Sequence, residues 1–288
     1  MKAMILAAGL GTRLRPLTDT RPKALVEING RTLLETTLTR LRSFSIDEVI
    51  INVHHFAGMV VDYLKSHDNF GMRIEISRED DLLLDTGGGL KKAAWFFLDD
   101  SRHVVASQSA ENKAKHVIPS EARNLGKASA QSHSDQTPAA IGVGEPFLLH
   151  NVDVISTIDL HRMLQFHNER GALATLAVQS RESSRLLLFN DQLQLCGRAA
   201  PGQSVNSPLV THHSPLSLAF SGIHIISPRL LPMLTETGVF SIIDSYVRLA
   251  AQGEKILAFR ADEYYWRDLG RPTDLSQAAL DFQQKNLF

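Results

Sequence analysis

Residues 6–26 read LAAGLGTRLRPLTDTRPKALV, and the reading of this stretch decides the reading of the whole chain. It follows Met4 and Ile5 at the end of a short apolar run, so the chain leaves an N-terminal strand and enters a glycine-bearing loop. The loop holds Gly9 and Gly11, the hydroxyl of Thr12, the guanidinium groups of Arg13 and Arg15 and, past two prolines, Lys23. Glycines let backbone N–H groups approach a polyphosphate closely, while arginine and lysine neutralise its charge. That chemistry suits a nucleoside triphosphate. A purely structural glycine turn is the competing reading of Gly9 and Gly11 alone, and the Arg/Arg/Pro/Lys continuation weighs against it.

Two better-known phosphate loops do not fit. The dinucleotide fingerprint G-x-G-x-x-G lacks its third glycine here, since Arg13 is followed by Leu14. A P-loop requires Gly-Lys-Ser/Thr at the start of a helix, and that tripeptide does not occur.

The stretch resembles instead the opening motif of the sugar-1-phosphate nucleotidylyltransferases, L-A-[AG]-G-x-G-[ST]-R-[LM]-x-P-[LM]-T followed by P-K-x-[LM]. Leu6, Ala8, Gly9, Gly11, Thr12, Arg13, Leu14, Pro16, Leu17, Thr18, Pro22, Lys23 and Leu25 occupy the matching positions. Thr86-Gly87-Gly88-Gly89, Asn151-Val152-Asp153, Phe220-Ser221-Gly222 and Trp266-Arg267-Asp268-Leu269-Gly270 continue the resemblance in the family's order. N-acetylmuramate-1-phosphate uridylyltransferases and mannose- or heptose-1-phosphate guanylyltransferase-like proteins are the branches it resembles most.

Composition narrows the class independently. Thirty lysines and arginines nearly balance 31 aspartates and glutamates, so no net field recruits nucleic acid or a membrane. The single cysteine, Cys196, excludes an internal disulfide or a cysteine-based zinc cluster and permits a reducing cytoplasm, the expected location. No apolar run approaches the ~20 residues of a membrane span, and the N-terminus lacks the pattern of a secretory signal. No pattern specifies an oligomeric state.

Along the chain, apolar runs alternate with amphipathic segments in the β-α-β manner of a largely parallel sheet. Strands are expected at Ala3–Ala7, Val49–Val53, Arg73–Ser77, Pro146–His150 and Leu173–Val178, with shorter ones around Leu186–Phe189, Ala219–Ile226, Ile256–Ala261 and Tyr264–Asp268. Helices are expected at Thr32–Phe44, Ala57–Lys65, Gly88–Leu98, Leu160–Arg170 and Asp274–Gln284. With the resemblance, this implies an α/β, Rossmann-like nucleotidyltransferase (GT-A-like) fold: one domain over residues 1–288, with a mixed, mostly parallel central sheet flanked by helices. Residues 99–144 are rich in Ser, Ala, Gln, Asn and Lys, and read as a flexible insertion. His103, His116 and His133 fall within it and read as surface histidines.

The resemblance implies transfer of a nucleotidyl group from an NTP to a sugar 1-phosphate, with UTP favoured over GTP. Arg13 and Lys23 are then the catalytic cations, neutralising the triphosphate and the leaving pyrophosphate. Asp153 ends an apolar run at the carboxyl edge of a central strand, where ligands bind in open α/β sheets. With Asp268 it is implied to hold Mg2+; a capping or turn role is the alternative for either aspartate alone. Leu6, Ala8, Gly9, Gly11, Thr12 and Arg13, with Thr86, Gly87 and Gly88, form the implied nucleotide site. The TGGG run opens a helix, so its N–H groups can meet a polar ligand, be capped by Asp85 or Thr86, or both. Gly222 is implied for the sugar, with Arg185 and Arg181 as candidates for its phosphate; Asn52, His54 and His55 are candidates for the nucleoside side. A catalytically silent nucleotide-sugar-binding homologue is the contrasting reading. Retention of Arg13, Lys23, Asp153 and Asp268 together argues against it.

Overall fold

The computed structural model describes residues 1–98, 144–199 and 215–285. The expected insertion at 99–144, with its three histidines, lies outside the described residues except for Gly144. The strands are β1 (Ala3–Leu6), β2 (Glu27–Ile28), β3 (Arg31–Thr32), β4 (Glu48–Val53), β5 (Arg73–Arg78), β6 (Phe147–Asn151), β7 (Val154–Ser156), β8 (Ala174–Gln179), β9 (Leu186–Phe189), β10 (Leu195–Arg198), β11 (Leu216–Ile226), β12 (Ile256–Arg260) and β13 (Trp266–Asp268). The helices are α1 (Leu33–Ser43), α2 (Ala57–Ser66), α3 (Asp85–Lys92), α4 (Trp95–Leu98), α5 (Leu160–Arg170), α6 (Ile242–Ala251) and α7 (Pro272–Lys285).

The central sheet is mixed and mostly parallel. It runs β10-β9-β11-β6-β1-β4-β5, with β8 on the other edge of β11 and β12 beyond β8. Strands β6, β1, β4 and β5 are mutually parallel, as are β8 and β12, whereas β11 runs against β6, β8 and β9. Eleven residues allow β11 to pair with β9 through Leu216–Ala219 and with β6 through Ile223–Ile226. A register shift against β8 falls between Phe220 and His224, where Gly222 has a φ of 74°. A bulge of this kind bends a strand and re-aims its neighbours.

Alternation along β1 divides the core. Ala3 and Ile5 join Leu148, Ile223 and Ile225 on one face, covered by α1, α2, α5 and α7. Met4 joins Phe147, Leu149 and Leu176 on the other, covered by α3, α4 and α6. Helix starts follow local chemistry: the Thr32 hydroxyl accepts from Glu35 N–H at 3.0 Å, and the Asp159 carboxylate accepts from His161 and Arg162. The expected Gly88–Leu98 helix begins earlier, at Asp85, and is interrupted after Lys92. The two-residue strands β2 and β3 and the three-residue β7 are too brief for periodicity to reveal them, and β10, Leu195-Cys196-Gly197-Arg198, lacks an apolar run. Among the described residues no helix is long and apolar enough to cross a membrane.

Candidate active site

Parallel strands β1, β4 and β6 end together, so Leu6, Asn52 and Asn151 share one register row. Beyond this edge lies a cavity of about 220 Å³, lined by the 6–13 loop together with Lys23, Val152, Asp153 and Gly270. Of the sequence-predicted residues, Leu6, Gly9, Gly11, Thr12, Arg13, Lys23 and Asp153 line it directly, and Ala8 lies buried in the same loop. Among the described residues, the N–H groups of Gly9, Leu10, Gly11, Thr12 and Arg13 donate no hydrogen bond. A row of free amides on a left-handed glycine, Gly11 at φ 65°, is an anion cradle. Gly11 is also sterically required, since a Cβ there would lie 2.9 Å from Thr18 Cγ2.

The carboxylates come together through pairing of two short strands. Antiparallel β7 and β13 set Asp268 opposite Val154, and Leu269 N–H donates to Asp153 C=O at 2.8 Å. Asp153 forms an ion pair with Lys23, which is only 8% exposed. Asp268 Oδ1 accepts from Gly270 N–H at 2.6 Å. Burial and the neighbouring negative charge of Asp153 raise the Asp268 pKa, and Lys23 and Arg13 oppose them. The Arg13 guanidinium lies against Gly270, where a Cβ would stand 2.6 Å from its Nη2. Two cations and the Asp153 carboxylate therefore line the cavity, with the Asp268 carboxylate beside it against Gly270. Among the described residues no group of three metal-ligating side chains forms, but two hard carboxylates fit a cation that takes its remaining oxygens from phosphate and water.

The TGGG run is placed differently. Gly87 N–H and Gly88 N–H both donate to Phe240 C=O, at 2.9 and 3.3 Å, and Thr86 Oγ1 accepts from Ile242 N–H at 3.0 Å. Thr86 N–H is taken by Asp85 Oδ1 at 2.6 Å. A Cβ on Gly87 would stand 2.4 Å from the Phe240 ring, and one on Gly88 2.5 Å from Gly238 C=O. Thr86, Gly87 and Gly88 thus pack α3 on the 238–242 segment, and none of them lines the cavity. Of the two readings of these N–H groups the capping one is seen here, with Asp85 taking Thr86 N–H and Phe240 C=O taking those of Gly87 and Gly88.

On the acceptor side, Gly222 is tight against Asn151 Nδ2, 2.8 Å from where a Cβ would sit. Trp266 Nε1–H donates to Ser221 C=O at 2.7 Å, and the Arg181 guanidinium lies 3.6 Å above the Trp266 ring centre. Arg181 also donates to Phe220 C=O at 2.7 Å. Burial lowers its pKa, and nearby Asp268 partly restores it. Arg185 is exposed, and its described hydrogen bonds are backbone ones with Ser183. Of the two candidate arginines, Arg181 is the one brought toward Asp268.

Sequence reasoning missed Glu79. It is 1% exposed and accepts from Asn52 Nδ2–H at 2.7 Å and from Leu84 N–H at 2.8 Å. In the run Ser77-Arg78-Glu79-Asp80-Asp81 it is indistinguishable from solvated charge. Asn52, a candidate for the nucleoside, is instead 3% exposed with both ends of its amide engaged inside the protein.

Residues 2–143 match the family model described as nucleotidyl transferase. The chain is 50% identical over 93 residues to an N-acetylmuramate alpha-1-phosphate uridylyltransferase of Caulobacter vibrioides, covering 32% of this chain and 38% of that one. It is 26% identical over 293 residues to a UTP–glucose-1-phosphate uridylyltransferase of Synechocystis, covering 96% of this chain and 62% of that one. The chain thus spans less than two thirds of the length of these curated relatives. The crystal structure of HddC from Yersinia pseudotuberculosis complexed with GMP-PN superposes with a TM-score of 0.63 at 17% identity, covering 98% and 99% of the two chains. That likeness is one of fold.

Proposed function

We propose that the chain transfers a nucleotidyl group from an NTP to a sugar 1-phosphate, releasing pyrophosphate and giving an NDP-sugar. An oxygen of the sugar phosphate attacks the α-phosphorus, and the bond from that phosphorus to the β-phosphate oxygen breaks. The observation that carries the reading is the convergence of Arg13, Lys23 and Asp153 on one cavity beside unpaired loop amides, with Asp268 next to it through Gly270. Both reactants are anions, so the work of the site is charge neutralisation and in-line positioning. The Gly9–Arg13 amides cradle the triphosphate, while Arg13 and Lys23 take up charge that grows on the departing pyrophosphate. Asp153 and Asp268 would hold Mg2+, which when bound supplies Lewis-acid polarisation of the α-phosphate. Arg181, held flat on Trp266 beside Asp268, is assigned to the phosphate of the sugar.

UTP is the favoured nucleotide, because both curated relatives described above are named as uridylyltransferases. GTP is the second reading, favoured by the guanosine nucleotide analogue in the Yersinia structure. The cytoplasm is the assigned compartment, on the single cysteine and the phosphorylated substrates. The test is to incubate the protein with Mg2+, each of four NTPs and a panel of sugar 1-phosphates, and to follow pyrophosphate. Release is expected with UTP. No release with any pair overturns the reading, and turnover that survives both Asp153→Ala and Asp268→Ala overturns the metal assignment.

A further inference from the structure

A chain of buried hydrogen bonds runs from the loop that lines the cavity to the segment that precedes α3. Ala7 N–H donates to Asn52 Oδ1 at 2.7 Å, Asn52 Nδ2–H donates to Glu79 Oε1 at 2.7 Å, and Leu84 N–H donates to Glu79 Oε2 at 2.8 Å. Asn52 stands at the end of β4, beside Leu6 of β1, and Glu79 lies one residue past β5. Gly89 of α3 closes over them, and a Cβ there would lie 2.8 Å from Glu79 Oε1 and 2.9 Å from Asn52 Nδ2. Among the described residues no lysine or arginine pairs with Glu79; its carboxylate accepts from an amide side chain and a backbone amide, and its backbone C=O meets His54 Nδ1.

Burying a carboxylate without a cation is costly, and such groups persist where their directionality fixes one arrangement of the backbone. Here the arrangement fixed is that of Ala7. With its N–H drawn inward to Asn52, the loop beyond it carries unpaired amides from Gly9 to Arg13 along the cavity, and a Cβ on Gly9 would meet nothing within 4 Å. We propose that Asn52 and Glu79 are a positioning pair for the NTP, holding the cradle in its binding geometry by tying Ala7 to Leu84. This rests on the reading of the 6–13 loop as the triphosphate cradle. Neither side chain touches substrate in this scheme; both act through Ala7.

The bond pattern supplies its own control. Asn52→Asp removes the amide donor and sets two carboxylates face to face. Glu79→Gln leaves either Asn52 or Leu84 without an acceptor. The double variant Asn52→Asp/Glu79→Gln restores all three bonds with the central donor reversed. The carboxylate introduced at position 52 accepts from Ala7 N–H and from the amide introduced at position 79, whose carbonyl oxygen accepts from Leu84 N–H. The measurements are the Kd of Mg·UTP and Mg·GTP by calorimetry, KM for the NTP and for the sugar 1-phosphate separately, and thermal unfolding. Each single variant should raise NTP Kd and KM by about ten- to a hundredfold, the scale of a cradle displaced by ~1 Å, with sugar-phosphate KM within about twofold. The double variant should return NTP affinity to within about threefold of wild type. Gly89→Ala, which presses on the pair without deleting a hydrogen-bonding group, should weaken NTP binding in the same selective way should either single variant not fold. A folded double variant no better than the singles, or folded variants (Gly89→Ala included) that bind NTP like wild type, overturns the proposal. A wild-type protein that binds no NTP overturns the nucleotide reading first, and the pair's role with it.

Discussion

Two glycine-bearing segments follow parallel strands of the same sheet, and the fold uses them in opposite ways. In the loop after β1, the amides from Gly9 to Arg13 donate to nothing among the described residues, and Gly9 has open space around it. After β5, the amides of Thr86, Gly87 and Gly88 are taken by Asp85 and Phe240, and the 238–242 segment fills the space that side chains would need. Glycine serves one segment by leaving backbone amides exposed and the other by admitting backbone from elsewhere in the chain. The two uses give different mutational signatures: one should appear in kinetics and the other in stability.

The largest effect expected on the open side is from Lys23→Ala. Removing this buried cation from Asp153 should lower kcat/KM by about 30- to 1,000-fold, or roughly 2–4 kcal/mol of transition-state stabilisation, in a pyrophosphate-release assay. An effect below about threefold would remove the cavity from the chemistry.

Acid should strike beneath both segments. His150 lies on β6 below the open loop, and His224 bonds Tyr246 of α6, which packs with α3. Burial lowers both pKa values from 6.5, with positive Arg40 adding to the effect at His150, to about 4 for His150 and about 3 for His224. Both histidines are neutral in the fold, so the stability they contribute is present above about pH 6.5 and is lost as pH falls toward 4. The loss at pH 4 should be on the order of 3 kcal/mol for each. Thermal unfolding followed by circular dichroism between pH 7 and 4 measures it; a flat profile contradicts the burial argument.

Gly87→Ala tests the packed side. A methyl 2.4 Å from the Phe240 ring should cost about 1–3 kcal/mol in denaturant unfolding, as overpacking does. Gly9→Ala is its counterpart. Stability should change by less than about 0.5 kcal/mol, while KM for the NTP rises severalfold. Reversal of the two outcomes would break the comparison. The smallest effect belongs to Arg185→Ala, which should leave sugar-phosphate KM within about twofold, against about tenfold for Arg181→Ala. Equal effects would return Arg185 to the sugar site.

The legible parts were those in which chemistry is local. The glycine-bearing loop, Lys23 and the strand end at Asp153 are short-range patterns, and Leu6, Gly9, Gly11, Thr12 and Arg13 line the cavity. The strands of the main sheet were visible from apolar runs, except β10, whose Leu195-Cys196-Gly197-Arg198 contains no such run. The function of Thr86–Gly88 was not legible, because free and occupied helix N-termini have the same sequence. Phe240, which occupies them, lies more than 150 residues away. Arg181 and Arg185 were equally basic on paper; only the ring of Trp266 distinguishes them.

Local pattern thus accounts for the α/β alternation, the glycine and cation chemistry of the opening loop and the two aspartates, since each depends on residues a few positions apart. Long-range packing settled which amides stay free, that Lys23 reaches Asp153, and that Glu79 is buried beside Asn52. One cause underlies all three. A hydrogen-bonding group has a role only once its partner is known, and the partners of these groups come from strands and segments distant in the chain.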